Sequence, residues 1–514
     1  MKDLIIKSFK DINLIAVFIA AVCYNYAYSI ADPDFWSRIY CGATYIDHGW
    51  VLYKDIFAFT ETKPIWVDHE WLSGIIFFLF IKYLGPAGIL LLKYLCIFLE
   101  LWLIYLCIRQ RTNSNINVLF LLLILMSIEP AFLSNIRPHN FTYIFFTFWL
   151  LILEHSRIND TTKYLWVLPA TIPVWVNLHA GCISGIALVG VYMVSQIIEK
   201  KAYKPYLYII PFSALLMLVN PYGYHYFGYV IDELTSTHDA ITEWLPVDIF
   251  SLTNFLFFKI LLILTIIAFA FAKDQKADPV GFILILAFAY FGFKHGRHNV
   301  LYGIIVGVFI YERLQNIYQQ LIKEALKVRS EKFVNMANFL IGTGLAVFTI
   351  IMFSTSLFTL NFFNWKLTVP VNEYPIHSVQ FLKQNNLKGN LLLPFKWGGY
   401  VTWMLYPNII VSIDGRHVEI FPIEIHHQSN DFHYGRGEWD KLLKDYTVDM
   451  ILIDKKESPS YKKLLEEGKW KVVFEDAISA VMLPANYSDT DNLKKIDIIA
   501  GSKINHLDSY FLKK

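Results

Sequence analysis

Carboxylates beside an apolar segment are the residues of this chain that could do chemistry. A polar stretch at residues 31–70 lies between two long apolar segments, and Asp32 and Asp34 flank Pro33 near its start. Two carboxylates at this spacing can share a divalent cation such as Mg²⁺ or Mn²⁺, or one of them can act as a general base. The same residues also favour a turn, so a chemical and a structural interpretation both remain open.

A second polar group lies at the far end of the same stretch. Asp68, His69 and Glu70 stand directly before Trp71, where an apolar segment begins. Two acids and an imidazole could assist the aspartates, while capping of a helix is the alternative role for Asp68. We therefore predict a supporting role for these three residues.

The composition indicates a protein embedded in a membrane. Of the 514 residues, 55% are hydrophobic and 17% are charged, and the mean hydropathy is positive. The net charge of +2 and the lack of a basic stripe argue against a nucleic-acid partner. The five cysteines form no C-x-x-C pair, so disulfide or zinc chemistry is not expected. The first apolar run, residues 14–30, is predicted to be an uncleaved anchor.

The loops between the apolar runs are of two alternating kinds. One kind is mostly basic and is predicted to be cytoplasmic by the positive-inside rule: residues 109–115, 154–163, 199–204, 273–276 and 312–332. The other kind carries His, Trp, Asn, Pro and Arg and is predicted to share the extracytoplasmic face with residues 31–70: residues 129–140, 177–181, 220–246 and 294–299.

Cationic and imidazole side chains gather in these extracytoplasmic loops. Taken singly, each is more often a solvated loop residue or an anchor to lipid headgroups. Together they suit an anionic ligand such as a phosphate, and arginine can bind phosphate oxygens through two parallel hydrogen bonds. The residues predicted to bind a lipid-linked phosphate are Arg137, His139, His179, His295 and Arg297, with Glu243 in a supporting role.

The number of membrane spans depends on residues 71–84. At about 1.5 Å per residue this segment reaches only about two-thirds of a hydrocarbon core of roughly 30 Å, so we predict a short, tilted or re-entrant helix. Residues 1–358 are then a polytopic α-helical membrane domain with about 11 full spans, or up to about 13 if this segment also crosses. The N-terminus is predicted to be cytoplasmic.

Residues 359–514 have the composition of a soluble domain on the extracytoplasmic side. Strand-like runs alternate with polar helical patterns, which indicates a C-terminal α/β domain; the runs are residues 390–394, 409–413, 450–453, 470–474 and 478–483. No glycine pattern for a nucleotide is present. Trp397 and Tyr400 could lie near a ligand or pack as core aromatics, and Asp414 to Arg416 could form a turn after a strand.

Two segments resemble a known family. DPDFWSRIYCGATYIDHG resembles the first external loop of oligosaccharyltransferase catalytic subunits, and KWGGYVTWM with its later Asp-Gly-Arg resembles the W-W-D-Y-G region of their soluble domain. The architecture is similar to that of the GT-C glycosyltransferase superfamily. The motifs W-V-N-L-H-A-G, N-P-Y-G and E-W-L-P also resemble those of uncharacterised bacterial members of that group.

This resemblance implies a glycosyltransferase of the bacterial inner (plasma) membrane. It would move a sugar from a polyprenyl-phosphate or pyrophosphate donor, held among membrane lipids, to an acceptor on the extracytoplasmic face. Asp32 matches the family acid that contacts metal or acceptor, and Asp34 is the second choice. Gly398 or Gly399 stands where oligosaccharyltransferases have the acid that recognises a glycosylation sequon, so protein N-glycosylation is not implied and the acceptor stays open.

Non-enzymatic classes also remain open. A transporter or an assembly factor for envelope polysaccharide could keep the same scaffold, and a sensor could bind a ligand in its C-terminal domain. Transport predicts charged residues within the spans, where the sequence has few, such as Lys93 and Glu100. The gathering of polar groups at one face favours the enzyme.

Overall fold

A computed structural model describes most of the chain: residues 31–111, 136–235, 244–251, 255–271, 278–333, 336, 340, 367, 369–488 and 490–496. The predicted anchor at residues 14–30 and the predicted site residue Glu243 lie outside the described residues.

Two compact units make up the structure. The helical unit contains the described residues of Leu91–Asn220 and Val230–Asn364. The mixed unit contains those of Ile30–Leu90, Pro221–Tyr229 and Trp365–Lys514. The sequence predicts a domain boundary at residue 358. In the structure, the polar stretch at residues 31–70 belongs to the same compact unit as the C-terminal residues.

Helices occupy most of the chain before residue 334. In chain order they are α1 (Pro33–His48), α2 (Trp71–Arg111), α3 (His139–Ile158), α4 (Val167–Leu178), α5 (Cys182–Ile198), α6 (Lys204–Leu216), α7 (His225–Thr235), α8 (Leu256–Phe271), α9 (Pro279–Lys294), α10 (Asn299–Phe309) and α11 (Tyr311–Val328). Among the described residues, α2 is long and apolar enough to cross a membrane, and α10 with α11 would be a second such crossing if the bent pair is one span.

The helix α2 is broken near its first third. Gly85 has φ 65° and ψ −165°, which is not helical, and Pro86 follows it. Proline lacks the amide hydrogen that would continue the helix, so the chain bends here. The break separates the predicted short segment at residues 71–84 from the apolar residues that follow Pro86. Whether the first of them crosses the membrane stays a prediction.

The predicted polar loop contains a helix, α1. Pro33 occupies the first turn, where a missing amide hydrogen costs nothing, and Gly49 ends the helix in the left-handed conformation with φ 74°. Most of its residues from Phe35 to Tyr45 are buried, on several sides of the helix. The interpretation of residues 31–70 as a loop is therefore corrected over these 16 residues.

The C-terminal residues form an α/β domain, as the sequence predicts. Its strands are β1 (Gly389–Leu392), β2 (Ile409–Val411), β3 (Met450–Asp454), β4 (Trp470–Glu475) and β5 (Ser479–Pro484), and its helices are α12 (Ile376–Gln384), α13 (Phe395–Leu405), α14 (His417–Ile420), α15 (Ile423–Tyr434), α16 (Lys441–Asp445) and α17 (Ser460–Glu467). The sheet order is β2-β1-β3-β5-β4. The first three strands are parallel, and β5 is antiparallel to both β3 and β4.

The polar stretch adds a short segment to the edge of this sheet. Ala58 forms a parallel bridge with Val411 of β2. The Phe59 amide donates to the Val411 carbonyl at 3.0 Å, and the Val411 amide donates to the Phe57 carbonyl at 3.1 Å. The edge strand β2 is thus covered by a chain segment from more than 340 residues earlier in the sequence.

Candidate functional site

Asp32 and Asp34 lie at the start of α1 in the mixed unit. Asp32 is the N-cap, and its Oδ1 accepts a hydrogen bond from the Asp34 amide at 3.0 Å. An aspartate in this position accepts a hydrogen bond from an amide that has no partner within the helix, and its negative charge is stabilised by the positive end of the helix dipole. Asp32 is 8% exposed, whereas Asp34 is half-buried. The acid that the sequence selects first is therefore also a structural cap.

The aromatic pair beside the glycines is part of the core. Trp397 and Tyr400 are both buried in α13, and the Trp397 indole donates to the Glu373 carbonyl at 2.8 Å. The Tyr400 ring meets the Trp36 ring of α1 edge-on at 5.0 Å. The structure therefore favours packing over ligand contact for these two residues.

The glycines of α13 permit close contact with neighbouring backbone. A Cβ built on Gly398 would lie 2.0 Å from the Ile413 carbonyl oxygen and 2.7 Å from the Asp414 Cα. A Cβ on Gly399 would meet the Ser37 Oγ at 3.0 Å. Glycine at position 398 is therefore required by the approach of α13 to the end of β2, which explains its presence without reference to an acceptor.

A buried ionic cluster centres on Arg38 of α1. Its Nη1 lies 2.8 Å from Asp68 Oδ1, its Nε 2.9 Å from Glu70 Oε2 and its Nη2 3.2 Å from Glu419 Oε1. The Tyr45 hydroxyl donates to Asp68 Oδ2 at 2.6 Å. Asp68 and Glu70, which the sequence gives only a supporting role, thus form the centre of a polar core that includes a residue of the C-terminal domain.

The imidazole of His69 completes this cluster. Its Nε2 lies 3.3 Å from Glu70 Oε1, and its Nδ1 lies 3.7 Å from Glu419 Oε1. Burial alone would lower the pKa of His69, but Glu419 and Glu70 outweigh this effect and raise the pKa to about 9. Burial also raises the pKa of Glu419, although Arg38 and His69 oppose the rise.

The ion pairs of this cluster join three acids to two basic side chains. The carboxylates of Asp68, Glu70 and Glu419 lie within 4 Å of the Arg38 guanidinium or the His69 imidazole. Carboxylate oxygens and imidazole nitrogens are ligand types for divalent cations. His69 and Glu70 are buried residues of ligand type, whereas Arg38 already lies against the carboxylates of Asp68 and Glu419; a metal ion at Asp32 and Asp34 stays a prediction.

A second buried ionic group, of one arginine and two aspartates, joins the polar stretch to the C-terminal domain. Arg416 has no exposed side-chain surface; its Nη2 lies 2.7 Å from Asp414 Oδ2 and its Nη1 2.5 Å from Asp55 Oδ1. The Tyr40 hydroxyl donates to Asp414 Oδ2 at 2.8 Å. Burial alone would raise the pKa of Asp414, but Arg416 and the hydrogen bonds hold this pKa below its usual value. Asp414 and Arg416 of the Asp-Gly-Arg sequence thus form a buried ionic contact with Asp55 of the polar stretch.

In the helical unit, three of the residues predicted to bind phosphate meet. The His139 and His179 ring centroids are 4.3 Å apart, and the Arg297 guanidinium contacts His139 Nε2. His179 Nδ1 is 2.8 Å from the Thr142 hydroxyl and accepts a hydrogen bond from the Gly181 amide at 2.9 Å. The protein therefore holds His179 in one orientation beside His139.

Trp244 extends this group to a fourth predicted residue. The Arg297 guanidinium lies over the Trp244 ring at 4.3 Å, and the His295 ring meets the same indole edge-on at 5.2 Å. His298, which follows Arg297 in the same loop, has its ring 6.1 Å from this indole. Arg137 stands two residues before His139, and its amide donates to Asn140 Oδ1 at 2.9 Å. We call His139, His179, His295, Arg297 and Trp244 the cationic group.

A separate ionic network occupies the other end of α3. Glu154 contacts Arg111, accepts from Arg157 Nε at 3.0 Å and accepts from the Tyr192 hydroxyl at 2.6 Å. Asp278 lies 2.8 Å from Arg111 and 3.1 Å from Arg157. Arg111, Glu154, Arg157 and Asp278 lie in or beside three loops that the sequence predicts to share the cytoplasmic face, and their contact supports one common face.

Several of these polar residues could not be chosen from the sequence. Glu419 is 381 positions from Arg38, and Asp55 is 361 positions from Arg416. Single acids in polar surroundings are ordinarily solvated, so nothing in their local sequence marks Glu419 or Asp55. Arg38 does carry a signal, since an arginine among aromatic and apolar residues requires a partner where it is buried.

Comparisons with known proteins identify the fold. No protein-family model matches the sequence, and no curated protein matches it. Two solved structures of ArnT from Cupriavidus metallidurans do match in three dimensions. The one bound to undecaprenyl phosphate has a TM-score of 0.52 at 14% identity, and the apo structure has a TM-score of 0.51 at 13% identity. Each alignment covers 91% of this chain and 97% of the other.

ArnT is a GT-C glycosyltransferase, so the resemblance expected from the sequence is confirmed at the level of the fold. This fold is that of a polytopic membrane protein. The number of spans and the side of the membrane that holds the C-terminal domain stay predictions. The chain has the GT-C fold of ArnT.

Proposed function

We propose that the chain is a GT-C-type glycosyltransferase that takes a sugar from a polyprenyl-phosphate or pyrophosphate donor and passes it to an acceptor on the extracytoplasmic face. The observation that supports this most is the similarity to ArnT over 91% of the chain, since one of the matching structures is bound to undecaprenyl phosphate. The protein would be a multi-pass component of a bacterial inner membrane.

The cationic group is our proposed site for the donor phosphate. Arg297 offers a charged donor fork for phosphate oxygens, and His139 and His179 offer further ring nitrogens beside it. A leaving phosphate gains negative charge as the glycosidic bond breaks, so cations fixed in advance stabilise the transition state more than the ground state. Arg137 and His295 would assist from the same region of the helical unit.

Asp32 is our proposed catalytic carboxylate, with Asp34 second. As a general base Asp32 would accept the proton of the acceptor hydroxyl, and general base catalysis typically contributes about 100- to 10,000-fold in rate. If a divalent ion such as Mg²⁺ or Mn²⁺ binds, the carboxylates of Asp32 and Asp34 would hold it, and the buried His69 and Glu70 are the alternative ligands. Such an ion would supply positive charge to a phosphate or hydroxyl oxygen.

The experiment must separate capping from catalysis at position 32. Asn is as good an N-cap as Asp, so Asp32→Asn keeps the hydrogen bond to the Asp34 amide and removes the charge. We expect its transfer rate to fall by about 100-fold or more with unchanged thermal stability. Asp32→Ala should show the same loss of rate and, in addition, about 1 kcal/mol less stability.

The assay does not require the sugar to be known. Host membranes are labelled metabolically with radioactive sugars, and loss of label from the organic-extractable lipid fraction is followed after adding the purified protein. The parental protein should deplete this fraction and Asp32→Asn should not. If Asp32→Asn depletes the label at the parental rate, Asp32 is only a helix cap. If the parental protein causes no depletion, the proposed transferase activity is contradicted.

A further inference from the structure

The helix α11 is amphipathic along its whole length. Its 18 residues, YERLQNIYQQLIKEALKV, place Leu314, Leu321, Ala325 and Val328 along one stripe at spacings of three, four and seven residues. The opposite side carries polar and charged side chains. A helix with this pattern and so many charges does not suit the hydrocarbon core of a membrane, but it suits a boundary between an apolar and a polar phase.

The first turn of α11 is fixed to the helical unit. Tyr311 is buried, Glu312 lies 3.9 Å from Arg111, and the Arg313 guanidinium lies over the Phe269 ring at 4.3 Å. The direction of the helix is therefore set at its beginning, where it departs from the preceding helix with a bend of 49°.

The second half of the helix presents its apolar stripe to the outside. Leu321 is 64% exposed and Val328 is 80% exposed, and Phe333 beyond the helix is 55% exposed. Exposed apolar residues in a continuous stripe mark an interaction surface. The other side of this half carries Lys323 and Lys327, and Arg329 follows the helix.

The segments on either side of α11 indicate that lipid covers this apolar stripe. The apolar helix α10 precedes α11, and the sequence has another apolar run at residues 341–358, which lies outside the described residues. A segment that connects two membrane segments on one face must stay near that face. Residues 312–332 hold five basic and three acidic side chains, which favours contact with anionic headgroups.

We propose that the second half of α11 lies in the lipid–water interface on the face where the ionic network of Arg111 and Glu154 is located. Leu321 and Val328 enter the acyl region, while Lys323, Lys327 and Arg329 reach the phosphates of anionic lipids. Long basic side chains extend in this way from an apolar surface toward the headgroups. This surface would bind the membrane itself and has no part in sugar transfer.

Depth measurements on the full-length protein test the position of the helix. Leu321→Cys, Val328→Cys and Lys323→Cys are each spin-labelled. The parental protein, treated with the same label, measures background labelling, which should be low because its described cysteines are buried. In nanodiscs, labels at 321 and 328 should collide preferentially with oxygen and the label at 323 with a water-soluble nickel complex. Equal access of the nickel complex at all three positions would overturn the proposal.

The lipid composition tests the role of the basic residues. Nanodiscs of phosphatidylcholine are compared with nanodiscs that also contain phosphatidylglycerol. The oxygen-to-nickel accessibility ratio at position 321 should rise several-fold with the anionic lipid, and the rise should vanish when Lys323, Lys327 and Arg329 are all changed to Gln. An immobilised spectrum at 321 and 328 that is independent of lipid would instead indicate a protein surface and contradict the proposal.

Discussion

Arg416 carries a full charge in a place without solvent. Removing a guanidinium from water costs several kcal/mol, and only well-placed partners offset this cost. Here Asp414 and Asp55 supply the opposite charge, and the Trp66 and Phe57 rings lie 4.8 and 5.1 Å from the guanidinium carbon. Every one of these contacts depends on an arginine, so the position is structural and specific to this side chain.

Removing this cation should destabilise the protein strongly. Arg416→Ala leaves Asp414 and Asp55 buried without their partner, and we expect the free energy of unfolding to fall by about 3–5 kcal/mol. The measurement is thermal or denaturant unfolding of the full-length protein in detergent. Arg436→Ala is the matched control, because Arg436 is exposed and should change stability by no more than about 0.5 kcal/mol. Equal losses of stability for the two substitutions would show that the buried ion pairs of Arg416 do not stabilise the fold.

At the scale of residues, the sequence is informative where a polar type is unexpected in its surroundings. Asp32, His139 and Arg297 could be selected because charged or imidazole groups beside apolar runs are costly without a role. Glu419 could not, because its partner Arg38 is reached only through the folded chain. For Trp397 the sequence leaves ligand contact and core packing equally open, because a buried indole and an exposed one have the same local sequence.

At the scale of elements, α13 is shaped by the two glycines at its centre. Gly398 faces the backbone of Ile413 and Asp414, which cannot move without displacing the end of β2. A Cβ on Gly399 would meet the Ser37 Oγ at 3.0 Å, the Trp36 Cβ at 3.2 Å and the Pro33 carbonyl oxygen at 3.3 Å, which is a less severe approach than that at Gly398. Two adjacent residues of the same type thus have different structural constraints.

Alanine substitutions should separate the two glycines. Gly398→Ala would force the helix away from β2, and overpacking of this kind typically costs about 1–3 kcal/mol. Gly399→Ala should cost less than Gly398→Ala, since its neighbours in α1 need to move by only a few tenths of an ångström and alanine gains about 0.5–1 kcal/mol over glycine within a helix. Unfolding curves of the two full-length variants give the comparison. A larger loss for Gly399→Ala would contradict the packing described here.

The strands and α1 show what determines whether an element is visible in the sequence. Each of the five strands is a short apolar run bounded by turn residues, and all five are confirmed near their predicted ends. The helix α1 was missed because it is buried on several sides, so its apolar residues do not follow one face. Its N-cap and its terminal glycine were present in the sequence but matched a turn equally well.

At the scale of the molecule, α3 shows how polar groups are separated along a helical unit. His139 begins this helix and Arg157 stands near its end, about 27 Å away at about 1.5 Å per residue. This length is close to that of a hydrocarbon core of about 30 Å. The alternation of loop types in the sequence predicts two such faces, and the contacts at the two ends of α3 agree with this prediction.

The mixed unit depends on chain segments that are far apart in sequence. Residues 365–514 by themselves would lack the Ala58 bridge at the β2 edge and the Asp55 partner of Arg416. An uncovered edge strand pairs with other chains, and a buried cation with one partner removed is unstable. We therefore expect this fragment alone, expressed from bacteria and studied by circular dichroism and size exclusion, to aggregate or to unfold without a cooperative transition.

Restoring the missing segment should rescue the fragment. Residues 31–90 joined to residues 365–514 by a flexible Gly/Ser linker, in mild detergent, bring back α1, the β2 edge contact and Asp55. This fusion should unfold cooperatively, and the same fusion with Asp55→Ala should lose much of that stability because Arg416 keeps only Asp414. A monomeric, cooperatively folded fragment of residues 365–514 would show instead that the C-terminal domain is independent and that residues 31–90 merely rest on it.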